Sequence, residues 1–484
     1  MKVLMVAVNA KYVHTNIAVR YITEYAKRQG KDFDFCEFSI NEPQNNVLGK
    51  LYEADCDAYG FSCYIWNIDY VLRLCKSLKQ LVPERKIFLG GPEVSFDAEE
   101  ILSENDFVDC IVCGEGEKAV SQLAQAFPSG HKVVYGSKLE NLDEAPFPYT
   151  PDDLKQTVQG EKLVYYETSR GCPFNCSYCL SSVDKGVRFL PLDRVKDEIK
   201  MFSDAGAMTV KFVDRTFNAD KNRALEIWQY CIELDTNTCF HFEIGADLID
   251  DAAIELLKAA PEGRFQFEIG IQSTNKKTLS EICRTMNIER LANNIKRLKA
   301  ETNILLHLDL IAGLPFENFE SFAKSFNDAY RMSPHVLQLG FLKLLKGSPL
   351  RNASKEYGML FDSGAPYEVY ATDWISFGEI LCLKAVEDVL ERYFNSGRFC
   401  KTLEIAVFNF DSPFEFYFRL SEFWKKRDLV GQGVKRIRLY ELLYQFLKEE
   451  LSEELIKPIM AEMKKDFSLW HSNGAGTPEW YKKY

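Results

Sequence analysis

Three cysteines stand close together in the segment SRGCPFNCSYCLSS, at positions Cys172, Cys176 and Cys179. A structural zinc site needs four ligands, and no fourth cysteine or histidine follows within a few residues. A four-iron, four-sulfur cluster has four iron sites, so three thiolates leave one iron open. Because an open metal position can bind a substrate or cofactor, this spacing predicts a reactive cluster and not a structural metal.

The length and composition limit the kinds of protein that this chain can be. The chain has 484 residues, of which 46% are hydrophobic and 27% charged, as in a soluble globular protein of two or three domains. Its net charge of −12, without basic runs, argues against broad binding to nucleic acid or anionic membranes. No apolar stretch approaches the roughly 20 residues that span a bilayer. We therefore expect a cytoplasmic protein, in which most of the other cysteines are buried core residues.

Residues 1–140 alternate short apolar runs with helical patterns, which predicts a doubly wound parallel sheet. Ligands bind at the carboxyl ends of the strands in such sheets. Small or polar residues follow the predicted strands there, namely Ser62, Gly90, Gly91, Gly114 and Glu115. They predict either a close approach of a ligand to the backbone or ordinary tight turns.

A proline-rich, acidic stretch at 141–160 is typical of a linker, and residues 161–365 then supply six further strand patterns. Six strands are too few for a closed eight-stranded barrel, so we expect an open, partial (β/α)6 barrel. Residues 366–484 predict a helical domain. Its phenylalanine-rich run SPFEFYFRLSEFW favours the aromatic core of a bundle over a lid on a substrate. The predicted fold class is α/β with this helical carboxyl-terminal addition.

The cysteine spacing CxxxCxxC, with Tyr178 before the last cysteine and the loop directly after the first barrel strand, resembles the radical S-adenosylmethionine (SAM) superfamily. The resemblance implies that the open iron binds the amino and carboxylate groups of SAM. The segments GIQS and DLIAGLPFE look like the strand ends that surround the adenosine in that family, and KFVDRTF stands where the methionine end is bound. The cofactor contacts implied in this way are Tyr178, Asp214, Gln272, Ser273, Ile311 and Gly313. The loop at Asp214 departs from the family's common Gly-Gly-Glu.

Strand alternation places further polar groups without reference to a family. In HFEIG and QFEIG the Phe and Ile side chains share one face, so Glu243 and Glu268 fall on the other, inside the barrel. His307 and Asp309 follow the same rule. The two glutamates are the catalytic candidates, either for substrate or ribose contact or as proton acceptors. A structural hydrogen-bond network is the alternative.

The amino-terminal sheet resembles the cobalamin-binding domain that precedes the barrel in one branch of radical SAM enzymes. On that resemblance Ser62, Gly90 and Gly91 hold the nucleotide tail of cobalamin, and Gly114 and Glu115 flank it. The turn NAKYVHTNIA lacks the Asp-x-His-x-x-Gly pattern of domains whose histidine ligates cobalt from below. We therefore expect residues 64–67, and not the histidine of that turn, to face the cobalt.

The two resemblances together predict a cobalamin-dependent radical SAM enzyme, most readily a methyltransferase that acts on an unactivated carbon. They imply that a SAM-derived radical takes a hydrogen atom from the substrate and that cobalamin supplies the methyl group. Radical cyclisation or rearrangement assisted by cobalamin, methylthio transfer with a second cluster on the amino-terminal cysteines, and a sensor without turnover are the alternatives. We expect a small molecule or peptide as substrate and a low-potential electron donor such as flavodoxin or ferredoxin.

Overall fold

The amino-terminal domain is a parallel six-stranded sheet with helices on both faces. The computed structural model describes residues 1–128, 130–183, 186–470 and 478–483. The strands are β1 Val3–Asn9, β2 Phe33–Ser39, β3 Ala58–Ser62, β4 Lys86–Gly90, β5 Cys110–Cys113 and β6 Lys132–Tyr135. The helices are α1 Ile17–Arg28, α2 Gln44–Glu53, α3 Ile68–Leu81, α4 Pro92–Ser95, α5 Ala98–Glu104 and α6 Gly116–Leu123. The strand order β2-β1-β3-β4-β5-β6 is that of a doubly wound sheet, as predicted.

Both faces of this sheet are covered, which explains why its strands are apolar throughout. All seven residues of β1 are buried. One face packs on α2 and α3 through residues such as Val71 and Leu74, and the other face packs on α1 and α6 through residues such as Val19 and Val120. The reversal of strand order leaves a crevice at the carboxyl ends of β1 and β3, where open α/β sheets bind ligands.

The stretch after this domain is an ordered connection that packs on the barrel. It contains α7 Pro151–Gln159, whose amino terminus is capped by the Thr150 hydroxyl. Leu142, Tyr149 and Leu154 are buried in the same hydrophobic core as the first barrel strand.

The second sheet has six parallel strands in sequential order, as expected for an open (β/α)6 barrel. The strands are β7 Val164–Tyr166, β10 Thr209–Phe212, β11 Cys239–Glu243, β12 Phe265–Gln272, β13 Leu305–Ala312 and β14 Val336–Phe341, and the hairpin strands β8 Ser169–Arg170 and β9 Arg188–Phe189 flank the cysteine loop. The outer helices are α8 Leu192–Asp204, α9 Lys221–Glu233, α10 Asp251–Leu257, α11 Lys276–Glu281, α12 Ile288–Glu301 and α13 Phe319–Tyr330. Each of the six strand patterns identified in the sequence corresponds to one of these barrel strands.

After β14 the chain forms a small hairpin and then a helical unit. These elements are α14 Pro349–Asn352, β15 Leu360–Phe361, β16 Val369–Ala371, α15 Phe377–Tyr393, α16 Cys400–Ala406, α17 Pro413–Lys425, α18 Arg436–Glu450, α19 Glu453–Trp470 and α20 Glu479–Lys483. The phenylalanine-rich run is α17, whose Phe416, Tyr417 and Trp424 are fully buried. Phe414 and Tyr417 pack edge-on against Phe326 of α13. The run is therefore aromatic core, and it joins the helical unit to the outside of the barrel.

The predicted fold class is confirmed: a doubly wound domain, a partial barrel and a helical carboxyl-terminal region follow one another along the chain. No helix among the described residues is long and apolar enough to cross a membrane.

Candidate functional site

Two cavities meet where the amino-terminal domain faces the mouth of the barrel. The larger has a volume of about 590 Å³ and lies between the two domains, lined by the loops after β1 and β3 and by the first barrel strands. The smaller has a volume of about 270 Å³, lies in the barrel mouth and is lined by Cys172, Cys176 and Cys179. Ser181 and Arg215 line both cavities. We call the first the interdomain cavity and the second the cluster cavity.

The loop that carries the cysteines is fixed from both sides by backbone hydrogen bonds. The Ser177 amide donates to the Ile282 carbonyl at 2.9 Å, and the Leu350 amide donates to the Ser177 carbonyl at 2.9 Å. None of the three cysteines is in a disulfide. Among the residues that the structure describes, no three His, Cys, Asp or Glu side chains converge on a single metal-ion position. The three free thiols are nevertheless presented to one cavity by a rigid loop, as a multi-iron cluster requires.

One arginine beside the cysteines could not have been found from the sequence. Arg284 lies in an irregular turn after α11, where no spacing pattern marks it. Its Nη1 donates to the Cys176 Sγ at 3.6 Å and to the Tyr178 hydroxyl at 3.4 Å, and its Nη2 donates to the Gly270 carbonyl. Burial raises the pKa of the Cys176 thiol, and the Arg284 guanidinium acts in the opposite direction, toward the charged form that binds metal.

Polar side chains line the inside of the barrel along β11, β12 and β13, because burial alternates along these strands. Glu268 accepts a hydrogen bond from His241 Nε2 at 2.9 Å and from Lys211 Nζ at 3.1 Å. These contacts lower the pKa of Glu268 to about 2, with His241 as the main cause. Glu268 is therefore a fixed anion. Both glutamates line the cluster cavity, and Glu243 accepts no hydrogen bond from the residues that the structure describes.

Two acceptors in the cluster cavity indicate a ligand. Gln272 Oε1 and Asp309 Oδ1 are buried, and neither accepts a hydrogen bond from any part of the chain that the structure describes. Both residues line the cluster cavity. A buried acceptor without a donor is costly. The amino group and ribose hydroxyls of SAM are donors of the required kind, so these residues fit that molecule.

Burial raises the pKa of Glu243 and of Asp309 to about 7. The folded state therefore binds the Asp309 proton more tightly than the unfolded state, whose carboxyl pKa is near 3.8. The stability that this proton confers is complete below pH 3.8 and is lost as the pH rises toward 7. We expect Asp309→Asn to remove this loss and to raise the free energy of unfolding at pH 8 by on the order of 2 kcal/mol relative to the wild type.

Urea unfolding of the cofactor-free protein at pH 5 and pH 8 measures this effect. The exposed Asp411 provides the control, Asp411→Asn, which should leave the pH dependence unchanged. Equal pH dependence in the wild type and in Asp309→Asn would show that burial does not hold the proton on this carboxyl.

A narrow apolar slot of about 110 Å³ opens between the amino-terminal sheet and the helices α1 and α6. Its lining includes Ser62, Gly90, Gly91 and Gly114, four of the five residues expected to contact the nucleotide tail of cobalamin. A Cβ on Gly91 would lie 2.5 Å from the Cys63 carbonyl oxygen, and Gly91 has φ +110°, so only glycine fits there. The turns that close the slot therefore need small residues.

Tyr64 connects this slot with the interdomain cavity, because it lines both. Its ring stacks on Trp66 with a centroid distance of 4.4 Å and an interplanar angle of 5°. Within the segment 64–67, Tyr64 and Trp66 therefore present a flat aromatic surface to the interdomain cavity. His14 also lines this cavity, where its Nδ1 lies 2.7 Å from the Tyr165 hydroxyl, and burial lowers its pKa.

An ion-pair cluster joins the two domains at the edge of the interdomain cavity. Arg170 pairs with Glu117 at 2.6 Å, with Glu167 at 2.8 Å and with Glu115 at 3.3 Å. Because the Glu117 side chain is only 5% exposed, removing its partner leaves a buried charge. We expect Arg170→Ala to lower the free energy of unfolding by about 3 kcal/mol in urea titrations. Arg438→Ala, which breaks one exposed ion pair with Glu441, should cost far less, and equal losses would contradict the buried character of the cluster.

The structure places several expected contacts outside the cavities. Asp214 is 1% exposed and accepts hydrogen bonds from the Thr168 amide and hydroxyl and from the Ser169 hydroxyl, so it anchors the loop and Arg215 and Thr216 reach the cavity in its place. The Ser273 hydroxyl donates to Glu317 at 2.6 Å beneath the barrel mouth. Ile311 and Gly313 line neither cavity: Ile311 packs against a hydrophobic cluster that contains Leu314, and a Cβ on Gly313 would contact Leu342 and Val369. Glu115, by contrast, lines the interdomain cavity, where Arg188 binds its carboxylate.

Comparison with known proteins agrees with this division of the chain. A family model described as "B12 binding domain" matches residues 3–124, and one described as "Radical SAM superfamily" matches residues 166–329. The chain therefore carries a B12-binding domain followed by a radical SAM domain. A model described as "Protein of unknown function (DUF4080)" matches residues 355–484. The predicted cofactors, cobalamin, a [4Fe–4S] cluster and SAM, are those of the two named domains.

Individual relatives share the same two domains. The cobalamin-dependent radical SAM methyltransferase TokK of Streptomyces tokunonensis is 26% identical over 377 residues, which are 70% of this chain and 55% of TokK. The chain thus spans about half the length of such curated relatives. The structure of the radical SAM methyltransferase TsrM from Kitasatospora setae matches 75% of this chain and 79% of TsrM with 16% identity and a TM-score of 0.62. The structure of the cobalamin-dependent radical SAM enzyme OxsB matches 97% of this chain and 84% of OxsB with 14% identity and a TM-score of 0.65.

Proposed function

We propose that this enzyme is a methyltransferase that joins a methyl group to an unactivated carbon of a small molecule or peptide. In this proposal cobalamin would supply the methyl group, and the cluster with SAM would supply the radical that takes a hydrogen atom from the substrate. The observation that carries the proposal is the junction of the interdomain and cluster cavities at Ser181 and Arg215. The methyl group and the radical can act on the same substrate carbon only if the cobalamin site and the SAM site adjoin.

In this proposal, different residues would bind the cluster, SAM and cobalamin. The three cysteines would hold the cluster, and Gln272 and Asp309 would accept hydrogen bonds from SAM. The apolar slot would take the nucleotide tail of cobalamin, and the stacked pair Tyr64 and Trp66 would lie against the corrin ring. Burial raises the pKa of Glu243 to about 7, so this side chain is the one best suited to exchange a proton with the substrate.

The relatives' names support methyl transfer over the alternatives, since TokK and TsrM are both described as methyltransferases. The methylthiotransferase reading would need a second cluster on the amino-terminal cysteines. Cys110 packs on one face of the sheet and Cys113 on the other, so the pair that is closest in sequence cannot ligate one cluster together. Iron analysis tests this directly, because one cluster gives about four iron atoms per chain and two clusters give about eight.

Product analysis tests methyl transfer. The anaerobic enzyme, loaded with iron and cobalamin and reduced, is incubated with SAM and with small-molecule extracts of the cells that make it. We expect both 5′-deoxyadenosine and S-adenosylhomocysteine, and the second only when cobalamin is loaded. Formation of 5′-deoxyadenosine alone would contradict methyl transfer and indicate a radical rearrangement or cyclisation instead.

A further inference from the structure

Arg215 lies at the junction of the two cavities, where the proposed function places the substrate. It follows β10 and, with Ser181, lines both the interdomain cavity and the cluster cavity. Its neighbours in the chain are fixed, because Asp214 is bound inside the fold and Phe217 is buried in the barrel core. The guanidinium therefore extends from a rigid support into the space between the two cofactor sites.

The Arg215 side chain is exposed at the cavity surface, and its charge has no acidic partner in direct contact among the described residues. Arg170 and Arg188, the other arginines that line the interdomain cavity, both pair with Glu115. Across the ranges that the structure describes, the Arg215 guanidinium forms no ion pair and no side-chain hydrogen bond. Glu243 of the cluster cavity interacts electrostatically with Arg215, but burial raises the pKa of that carboxyl to about 7 in spite of this interaction.

An arginine in this position needs an anion once the site is filled. A guanidinium stays protonated at any physiological pH, so it cannot become neutral when water leaves the cavity. An isolated charge without a partner in a water-free cavity costs several kcal/mol. The carboxylate of SAM is committed to the open iron by the chemistry of the radical SAM domain. The cobalamin phosphate is assigned with the nucleotide tail to the apolar slot, and Arg284 already lies beside the Cys176 thiol of the cluster loop. The molecule left to bring an anion to the junction is the substrate.

We propose that the substrate carries an anionic group, a carboxylate or a phosphate, and that this group binds the Arg215 guanidinium. Both groups match the planar fork of arginine, which can donate two parallel hydrogen bonds. The contact would hold the carbon to be methylated at the junction of the two cavities. This inference rests on the proposed function for the place of the substrate, but binding of an anion is measurable without turnover.

The test is isothermal titration calorimetry on the anaerobic holoenzyme, loaded with cluster, cobalamin and SAM and without reductant. The probes are matched pairs of an acid and its neutral counterpart: benzoate with benzamide, indole-3-acetate with indole-3-acetamide, and phenyl phosphate with phenol. The variants are Arg215→Gln, Arg215→Lys and, as control, Arg73→Gln, which removes an exposed arginine of α3 that lines neither cavity.

In the wild type we expect at least one acid to bind about tenfold or more tightly than its neutral counterpart, which corresponds to about 1.4 kcal/mol. Arg215→Gln should reduce that ratio to within about twofold, Arg215→Lys should keep part of it, and Arg73→Gln should leave it unchanged. The pair with the largest Arg215-dependent preference assigns the group as carboxylate or phosphate.

Three results would overturn the inference: no preference for any acid in the wild type, a preference that survives Arg215→Gln, or a loss in Arg215→Gln that appears only in the affinity for SAM. The last result would assign Arg215 to the SAM carboxylate. An acid preference that depends on Arg215 in an enzyme that forms no S-adenosylhomocysteine would support the anion site and contradict only the methyl transfer.

Discussion

Replacement of Cys176 by alanine is expected to abolish both iron binding and the cleavage of SAM. Cys176 is 7% exposed, contacts Arg284 and lines the cluster cavity with the two other cysteines. Loss of one of three thiolates leaves a cluster that the chain cannot hold, because the remaining loop offers no substitute ligand. Iron content should fall from about four atoms per chain to the level of the unreconstituted protein, and 5′-deoxyadenosine should fall to the no-enzyme background.

Cys400→Ala provides the matched control for this experiment. Cys400 is exposed and lies at the start of α16, outside the barrel mouth. Its replacement should leave iron content and 5′-deoxyadenosine formation unchanged. Retention of the full iron content in Cys176→Ala would show that the cluster is held elsewhere and would remove the basis for the cluster cavity.

The second large effect is expected from filling the apolar slot of the amino-terminal domain. Gly90 ends β4 and lines the slot, and a Cβ at this position would lie 3.5 Å from the Val112 carbonyl oxygen, an ordinary contact. Gly90→Ala should therefore fold and keep most cobalamin binding. A leucine side chain would occupy much of the slot's volume of about 110 Å³. We expect Gly90→Leu to weaken cobalamin binding by about 100-fold, or about 2.7 kcal/mol.

Cobalamin retained after gel filtration, read from its visible absorbance, measures this effect, and thermal unfolding checks that the variant is folded. Gly49→Leu is the control, because Gly49 lies in α2 with no atom within 4 Å of a built Cβ. It should leave cobalamin binding unchanged. Cobalamin bound by Gly90→Leu as tightly as by the wild type would mean that the nucleotide tail lies outside the slot.

Much of the fold was predictable because periodicity and local chemistry agree along the chain. All six barrel strands and five of the six amino-terminal strands correspond to apolar runs in the sequence. The sixth amino-terminal strand, Lys132–Tyr135, is an edge strand that is only half-buried, so its pattern is weak. The region 141–160 was expected to be a linker from its prolines, yet Pro151 begins α7, a position in which proline is favoured.

The parts of the site that short sequence motifs specify were predictable. The parts that depend on contacts between distant segments were not. Strand alternation placed Glu243 and Glu268 inside the barrel. Only the structure shows that Lys211 and His241 donate hydrogen bonds to Glu268 and that burial raises the pKa of Glu243. Arg284 could not be foreseen, because it reaches Cys176 from 108 residues away in the chain. Long-range contacts of this kind produce no recognisable residue spacing in the sequence.

The central claim is that cobalamin and the cluster are bound in adjoining cavities of one chain. Electron paramagnetic resonance of the anaerobic enzyme tests it without a substrate, because cob(II)alamin and the reduced cluster are both paramagnetic. We predict that reducing the cluster shortens the relaxation time of the cob(II)alamin signal, and that this effect is absent in Cys176→Ala. A cob(II)alamin relaxation time that is the same with an oxidised and a reduced cluster would contradict the claim.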